Sequence, residues 1–472
     1  MNFKQTEKYL YDLARLPRQE YMSDNRHCSL YLKRLQYLLN LLGNPEKKIP
    51  HYIHVTGTSG KGSVCIMLHK ILQAAHKKTG LSISPHYSCI TERWQINGKE
   101  MKKNEFAKLV TSIKPKINRY LKESPYEPPS YFEILEAIGL LYFAWHKVQW
   151  AVLEVGLGGR YDASNVIPYK DVAVITNIGL DHENIIGPTK ADIAFEKAGI
   201  IKPGCTVFTQ ERDEKMLDII KAECKKTKTR LEIPNFQFPI SKQFSNFQIF
   251  NFQNYQYELS VLGEHQINNA ILCIEIAKSL KISDKAIKNG LAKVKLPLRM
   301  EIMQKNPLII LDGAHNPDKM KTTVESLKHL ITKAQKHKST KAPQTPLKGN
   351  WGVLTDSNLT VKQFNNLHLL VGFSADKNIK KMIKQLATLK PQTIAVTKNT
   401  TNPFREPADP KILAEQFKKL LPKAKIKSFP NPNTAFAWLK KKAHKDDIIL
   451  STGSIFVSGQ IRPVFDRKAK IR

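Results

Sequence analysis

The chain lacks most of the features that mark a secreted, membrane-spanning or metal-stapled protein. None of its 472 residues fall in a run near the roughly eighteen apolar positions that a membrane helix needs; Ala137 to Trp145 reaches about half that length. The opening stretch, MNFKQTEKYLYDLARLPRQE, has no apolar signal core, so a cytoplasmic protein with no membrane partner is expected. Cysteines are few and scattered, at positions 28, 65, 89, 205, 224 and 273. Without a Cys-x-x-Cys pair they suggest neither a zinc site nor a disulfide framework, and free thiols in a reducing compartment fit best. No internal repeat is visible.

Acidic charge is also scarce. With 41 Asp and Glu against 75 Lys and Arg, the formal net charge is +34. Such a balance attracts anions, and a nucleic acid is one candidate. The lysines are nevertheless spread along the chain, as in Lys377, Lys380, Lys381 and Lys384 at helical spacing, or Lys440 to Lys442. Solvated helix faces account for that pattern, and no recognised RNA- or DNA-binding signature appears. No specific nucleic-acid partner is expected; attraction of anionic small molecules is the safer inference.

What is present is a globular composition, 41% hydrophobic and too long for one average core. Apolar strands alternate with helical patterns, which predicts an α/β fold with mostly parallel sheets. Strands are expected at His51–Val55, Val148–Val155 and Val172–Ile178, and helices at Val64–Lys78, Phe132–His146 and Lys190–Ala198. Residues Glu232 to Leu262 alternate aromatic and polar side chains and predict a small antiparallel sheet, followed by a helix near Asn268–Leu280. After Lys295-Leu-Pro-Leu-Arg299, which reads as a hinge, a second α/β series has strands at Leu308–Leu311, His368–Val371, Thr393–Val396 and Ile448–Ser451. Lys333 to Asn366 is polar and reads as a surface excursion.

The most informative segment is His54-Val-Thr-Gly-Thr-Ser-Gly-Lys-Gly-Ser63. Between a predicted strand and a predicted helix, such a turn can converge backbone N–H groups on an anion at a helix N-terminus. Lys61 would supply charge to a terminal phosphate, and Ser63 a hydroxyl to Mg²⁺. The spacing departs from the common phosphate loop: only Thr58 and Ser59 separate Gly57 from Gly60, and Gly62 precedes Ser63. An incidental glycine turn is the plainer alternative.

In an open parallel sheet, ligands bind beyond the carboxyl ends of the strands. One such end carries Glu154, in Trp150-Ala-Val-Leu-Glu154-Val-Gly-Leu-Gly-Gly159, and another carries Asp181-His182. Ser63, Glu154 and His182 could share one metal beside the phosphates, although a helix cap or surface role is the commoner fate of each alone. Lys197 reads by default as a solvated helix lysine. Asp312-Gly-Ala-His315-Asn-Pro317 and Ser451-Thr-Gly-Ser454 close two strands of the second series, where ordinary turns compete with a cleft role.

Taken in order, the blocks HVTGTSGKGS, SPHYSCITERWQINGKEM, SYFEILEA, LEVGLGGRYDASNVI, ITNIGLDHENIIGPT, EKAGIIKPG, LDGAHNP and STGSIFVSGQIR resemble the folylpolyglutamate synthase/dihydrofolate synthase family of the Mur ligase superfamily. The resemblance runs from about Tyr9 to Pro463, and the irregular phosphate loop is that family's own pattern. It implies an ATP-dependent ligase joining L-glutamate to dihydropteroate, or to a reduced folate, through an acyl phosphate; the alternative, another Mur-type amino-acid ligase, is disfavoured by the blocks SPH and SYFE. The implied domains are an ATP-binding domain at 1–297 and a Rossmann-like glutamate-ligase domain at 298–472, in a monomer. Gly57, Thr58, Ser59, Gly60, Lys61, Gly62 and Ser63 would hold the phosphates, with Asn269, Arg299 and Asp312 on the nucleotide. Ser63, Glu154, His182 and Lys197 would hold Mg²⁺ at two sites, Lys197 as a carbamate. Ser84, Phe132 and Asp162 fall in pterin-associated blocks, and His315 and Ser454 on the glutamate side. Lys61, Lys197 and His315 are the implied catalytic residues. Departures from the family pattern are Ser59 for Asn in the loop, Leu298 for Gly before the hinge Arg, Asn378 for Asp, and the long 333–366 excursion.

Overall fold

A computed structural model describes residues 1–18, 28–180, 183–236, 241–243, 247–336, 364–401 and 406–465. In chain order the strands are β1 His51–Thr56, β2 Thr79–Ser82, β3 Trp94–Ile96, β4 Lys99–Glu100, β5 Trp150–Glu154, β6 Val172–Ile175, β7 Thr206–Thr209, β8 Arg230–Glu232, β9 Ser241–Gln243, β10 Gln248–Phe252, β11 Tyr255–Leu259, β12 Glu301–Lys305, β13 Leu308–Leu311, β14 Leu367–Val371, β15 Thr393–Val396, β16 Lys425–Ser428 and β17 Ile448–Thr452. The architecture is mixed α/β, with two large, mostly parallel sheets and a small antiparallel one. Compact packing divides the chain into two units, the first taking most residues up to Lys295 and the second taking Lys242–Gln248, Val261–Gly263 and the residues from Leu296 onward.

In the first unit eight strands lie in the order β4-β3-β2-β5-β1-β6-β7-β8. Strand β1 is central and parallel to both neighbours, with Val55 opposite Glu154 and Thr56 opposite Ile175. Its residues from Tyr52 to Thr56 are buried because both faces of the strand are covered. Tyr52, Ala151 and Leu153 pack with the helices Phe3–Ala14, Ser29–Leu41, Lys103–Glu123 and Tyr131–Trp145. The helix Lys61–Ala74 packs on β1, β2 and β5. The helix Tyr131–Trp145 starts where Ser130 and Glu133 form a reciprocal capping box. Glu133 also accepts from Arg34 Nε at 2.9 and 3.0 Å in the core, so this cap is tied to the helix Ser29–Leu41.

The second unit carries the order β12-β13-β17-β14-β15-β16, parallel except for β12, which pairs antiparallel with β13. Its core is aliphatic, from Leu308, Ile310, Leu369, Val371, Met382, Ile394 and Leu450. Helix Lys190–Ala198 and strands β13 and β15 have the expected bounds, and other ends move by a few residues, as strand and helix termini do. Short or polar strands were not anticipated: β2, β3, β4, β7, β8, β12 and β16. The excursion is corrected at its start, because the helix Pro317–Lys336 continues through Lys333; residues 337–363 lie outside the described ones.

Packing explains the leucine at position 298. Leu298 has φ 54° and Met300 φ 50°, both left-handed, on either side of Arg299. The Leu298 amide donates to Glu301 Oε2 at 3.0 Å, and its carbonyl accepts from Gly313 N at 2.8 Å. Left-handed backbone costs a β-carbon-bearing residue about 1–2 kcal/mol, whereas burying a leucine contributes about 1.5–3 kcal/mol. Leu298 is fully buried, so packing outweighs strain. Leu298→Gly is therefore expected to lower stability by about 1 kcal/mol in urea unfolding. A gain in stability would show that strain dominates.

Candidate functional site

The phosphate loop is the direct continuation of β1. Gly57 has φ 146°, and a Cβ there would lie 1.8 Å from Thr176 Oγ1 and 3.1 Å from the Thr176 amide, so no larger residue fits. Gly60, at φ 86°, begins the helix Lys61–Ala74 and would direct a Cβ to within 2.9 Å of Asn269 Oδ1. The loop is braced from β6, its neighbour strand. Thr58 N donates to Asn177 O at 2.9 Å, Ser59 N to Asn177 Oδ1 at 2.8 Å, and Thr176 Oγ1 donates to Ser59 O at 2.6 Å. These bonds take up the amides of residues 58 and 59, which leaves the helix N-terminus from Gly60 onward to face an anion. Lys61 Nζ lies over the turn and donates to Gly57 O at 2.7 Å. Asn269, buried under the loop, donates to Gln266 Oε1 at 3.1 Å, and its Oδ1 accepts from Gln210 Nε2 at 3.3 Å.

Glu154 closes β5 one strand away. Its carboxylate reaches the loop: a Cβ on Gly62 would sit 3.4 Å from Oε1 and 3.5 Å from Oε2. Oε2 accepts from Ser84 N at 2.8 Å, which places Ser84 beside this carboxylate. Lys197 is buried in the last turn of the helix Lys190–Ala198. The glycine turn after Glu154 locks onto that turn, since Arg160 N donates to Glu196 O at 2.8 Å. A Cβ at Gly159 would meet Glu196 O at 2.8 Å, and one at Gly199 would meet Arg160 Cβ at 2.3 Å. The glycines thus fix where Glu154 and Lys197 stand. His182 lies outside the described residues, among which no group of three or more His, Cys, Asp or Glu forms a metal cluster. A hydroxyl and a carboxylate at a phosphate loop are hard oxygen donors and suit Mg²⁺, which keeps water and phosphate oxygens as its other ligands.

A third group of residues surrounds the start of the helix Tyr131–Trp145. Phe132 is 61% exposed, an unusual state for a large aromatic side chain and one suited to stacking on a flat ring. The Arg93 guanidinium lies 5.8 Å from its ring centroid and donates through Nε to His86 Nδ1 at 3.1 Å. Burial, then Arg93, pushes His86 down to about 3, so it is a neutral acceptor. Burial pushes the Glu136 carboxyl up to about 8, with repulsion from Asp162 adding and Arg93 opposing. Asp162 caps the turn that follows Glu154, accepting from Leu157 N at 2.9 Å and Ser164 N at 3.0 Å.

In the second unit, Asp312 ends β13 and acts first as a brace. Its carboxylate accepts from Met300 N at 3.1 Å, Ala314 N at 2.9 Å, Thr323 Oγ1 at 2.7 Å and Thr452 Oγ1 at 3.3 Å. Arg299 Nη1 donates to Leu298 O at 3.2 Å, close against Gly313. His315 donates from Nδ1 to Gly313 O at 2.8 Å and accepts at Nε2 from Lys319 Nζ at 3.0 Å. Burial, then the Lys319 charge, holds His315 well below the ordinary histidine range. Ser454 caps the helix Ile455–Ile461 through Phe456 N at 3.3 Å.

The chain is similar to proteins already characterised. Residues 55–277 match the Mur ligase middle domain. A dihydrofolate synthase/folylpolyglutamate synthase from Bacillus subtilis is 34% identical over 454 residues, covering 91% of this chain and 94% of its own length. The chain belongs to this family. Solved structures agree: a Mycobacterium tuberculosis folylpolyglutamate synthase complexed with ADP superposes with a TM-score of 0.80 at 26% identity, covering 98% of both chains. Another from that organism, complexed with ADP and AMPPCP, gives 0.77 at 28% identity, covering 92% of this chain and 95% of the other. ATP binding and a ligase of this family are therefore the properties of the chain. No helix among the described residues is long and apolar enough to cross a membrane.

Several site residues carry no local signal in the sequence. Thr176 and Asn177 brace the loop, Arg93 and Glu136 adjoin Phe132 and Asp162, and Lys319 partners His315. Only the strand-end position of Thr176-Asn177, inside ITNIG, offered a signal.

Two outcomes test this geometry. Gly57→Ala should lose nucleotide binding, measured by titration calorimetry, because its Cβ displaces Thr176; ordinary affinity would contradict the loop packing. For Glu136 the folded carboxyl binds its proton up to about 8 and the unfolded one only to 4.5. Between these values the folded state holds more protons, so stability falls as pH rises, by at most about 1.4 kcal/mol per pH unit. Glu136→Gln should remove that slope in denaturant titrations across the window. An unchanged slope would place the Glu136 carboxyl in water.

Proposed function

We propose that this chain joins L-glutamate to dihydropteroate, to the glutamyl tail of a reduced folate, or to both, using ATP. The observation that carries the reading is the meeting of the phosphate loop with Glu154, which aims a carboxylate at Gly62, next to Ser63. A carboxylate is a poor acylating agent until one oxygen becomes a leaving group. An acceptor carboxylate oxygen attacks the γ-phosphorus of ATP and ADP departs. The glutamate amine then attacks the acyl carbon, phosphate leaves with that oxygen, and the nitrogen sheds its proton.

In this reading residues 57–63 bind the phosphates, Lys61 neutralises charge on the transferring group, and Asn269, Arg299 and Asp312 orient the nucleotide. Ser63, Glu154, His182 and Lys197 would hold Mg²⁺ at two sites, Lys197 after carbamylation. Bound there, the metal supplies positive charge to the phosphoryl oxygens. Ser84, Phe132 and Asp162 receive the pterin, although the Ser84 bond to Glu154 equally supports a place beside the metal. His315 and Ser454 serve the glutamate side, His315 with its neutral Nδ1–H directed to Gly313 O. A monomeric cytoplasmic enzyme completes the reading.

Repeated turnover of ATP to ADP should require an acceptor and glutamate together, and assays with dihydropteroate and tetrahydrofolate side by side would tell which acceptor is used. Release stimulated only by RNA or DNA, or by neither acceptor, would overturn the proposal. Lys61→Ala and Glu154→Ala should each abolish ligation with unchanged circular dichroism, and turnover like that of the unmodified chain would refute their roles. Lys197→Ala should regain part of its activity with short carboxylic acids; a fully active variant would exclude the carbamate.

A further inference from the structure

A chain of buried polar groups runs beneath the glycine turn and ends on Asp162. Lys170 Nζ lies 2.7 Å from His54 Nδ1, His54 Nε2 lies 2.8 Å from Ser164 Oγ, and the Ser164 hydroxyl bonds Asp162 Oδ1. His54 is fully buried; Ser164, Asn165 and Lys170 are 2–4% exposed. The directions follow from the acceptor-only end. An ionised Asp162 can only accept, so Ser164 donates to it. The Ser164 oxygen then takes the proton of His54 Nε2, and Nδ1, left bare, accepts from Lys170. Lys170 donates to Asn165 Oδ1 as well, at 3.0 Å. Asn165 in turn donates to Arg160 O and Gly199 O, each at 3.0 Å, the turn that adjoins Lys197. Lys202 Nζ closes the cluster by donating to Asn165 O at 2.8 Å.

We infer that His54 and Ser164 are positioning residues for the acceptor side of the site: through one unidirectional run of hydrogen bonds from Lys170 they fix the Asp162 carboxylate, which in turn holds the Leu157 amide. This inference rests on the reading of Asp162 as a pterin-side residue. Burial, then Lys170 and Lys202, keeps His54 well below the ordinary histidine range, in agreement with a neutral ring. Packing alone needs no such order. An apolar residue would fill the space of His54 but would take the Nδ1 acceptor away from the buried Lys170.

Ser164→Ala removes the hydroxyl link and leaves the Ser164 backbone bond in place. It should raise the KM for whichever acceptor the unmodified chain uses, dihydropteroate or tetrahydrofolate, about tenfold, the effect of one hydrogen bond to a charged group, and leave the KM for ATP within about twofold. Nitrogen-15 NMR of labelled histidines, with His54 assigned by loss of its signals in His54→Gln, should show a neutral ring protonated at Nε2 in the unmodified protein. A proton on Nδ1 would overturn the inference independently of activity. Equal increases in both KM values would reduce the cluster to a structural role and also overturn it. Asp162→Asn separates the remaining failures. Raised acceptor KM in Asp162→Asn with none in Ser164→Ala sinks the relay alone; no change in either sinks the relay together with the reading of Asp162.

Discussion

Everything proposed for the first unit depends on one constraint: β5, β1 and β6 run parallel and end level. Val55 pairs with Glu154 and Thr56 with Ile175, so three chain segments far apart in sequence leave the sheet at one edge. A one-residue slip would send every side chain to the opposite face. The loop after β1 would lose its brace from Thr176 and Asn177, and Glu154 would leave Gly62. The apolar clusters packed against the sheet fix that register, and the chemistry at the edge is a consequence of the packing below it.

A second consequence is that many functional positions are held by hydrogen bonds that leave little freedom. The loop amides at 58 and 59 are already committed, so anion binding falls to the helix N-terminus. Asp312 accepts from two amides and two hydroxyls, so any contact it makes with a nucleotide starts from a rigid carboxylate. Such preorganisation reduces the reorganisation that phosphoryl transfer requires. The glycines contribute by absence: at 57, 159 and 199 a side chain would collide with Thr176, Glu196 or Arg160.

The sequence revealed the main strands because runs such as AVL and VAVI are apolar throughout and flanked by helical periodicity. It located the loop and Glu154 because a parallel sheet places strand ends together. Polar edge strands such as Lys425–Ser428, Lys-Ile-Lys-Ser, hold a single apolar residue and so give too weak an alternation, and β12 is broken by a register shift between Ile302 and Gln304, so neither is legible. Partnerships set only in three dimensions were equally hidden. Asn177 reaches Ser59 across 118 positions and Lys170 reaches His54 across 116, and nothing local in either segment announces the contact. The substitution of Leu298 for the usual Gly had no visible reason until its burial was known.

The central claim is that the loop presents ATP to a carboxylate and not to water. It is tested most directly by labelling the acceptor carboxylate with oxygen-18 and analysing the phosphate released during glutamate addition. The account predicts that one labelled oxygen passes to each phosphate formed, because the acyl phosphate breaks at its carbon. Phosphate free of label, with amide product formed at the usual rate, would contradict it.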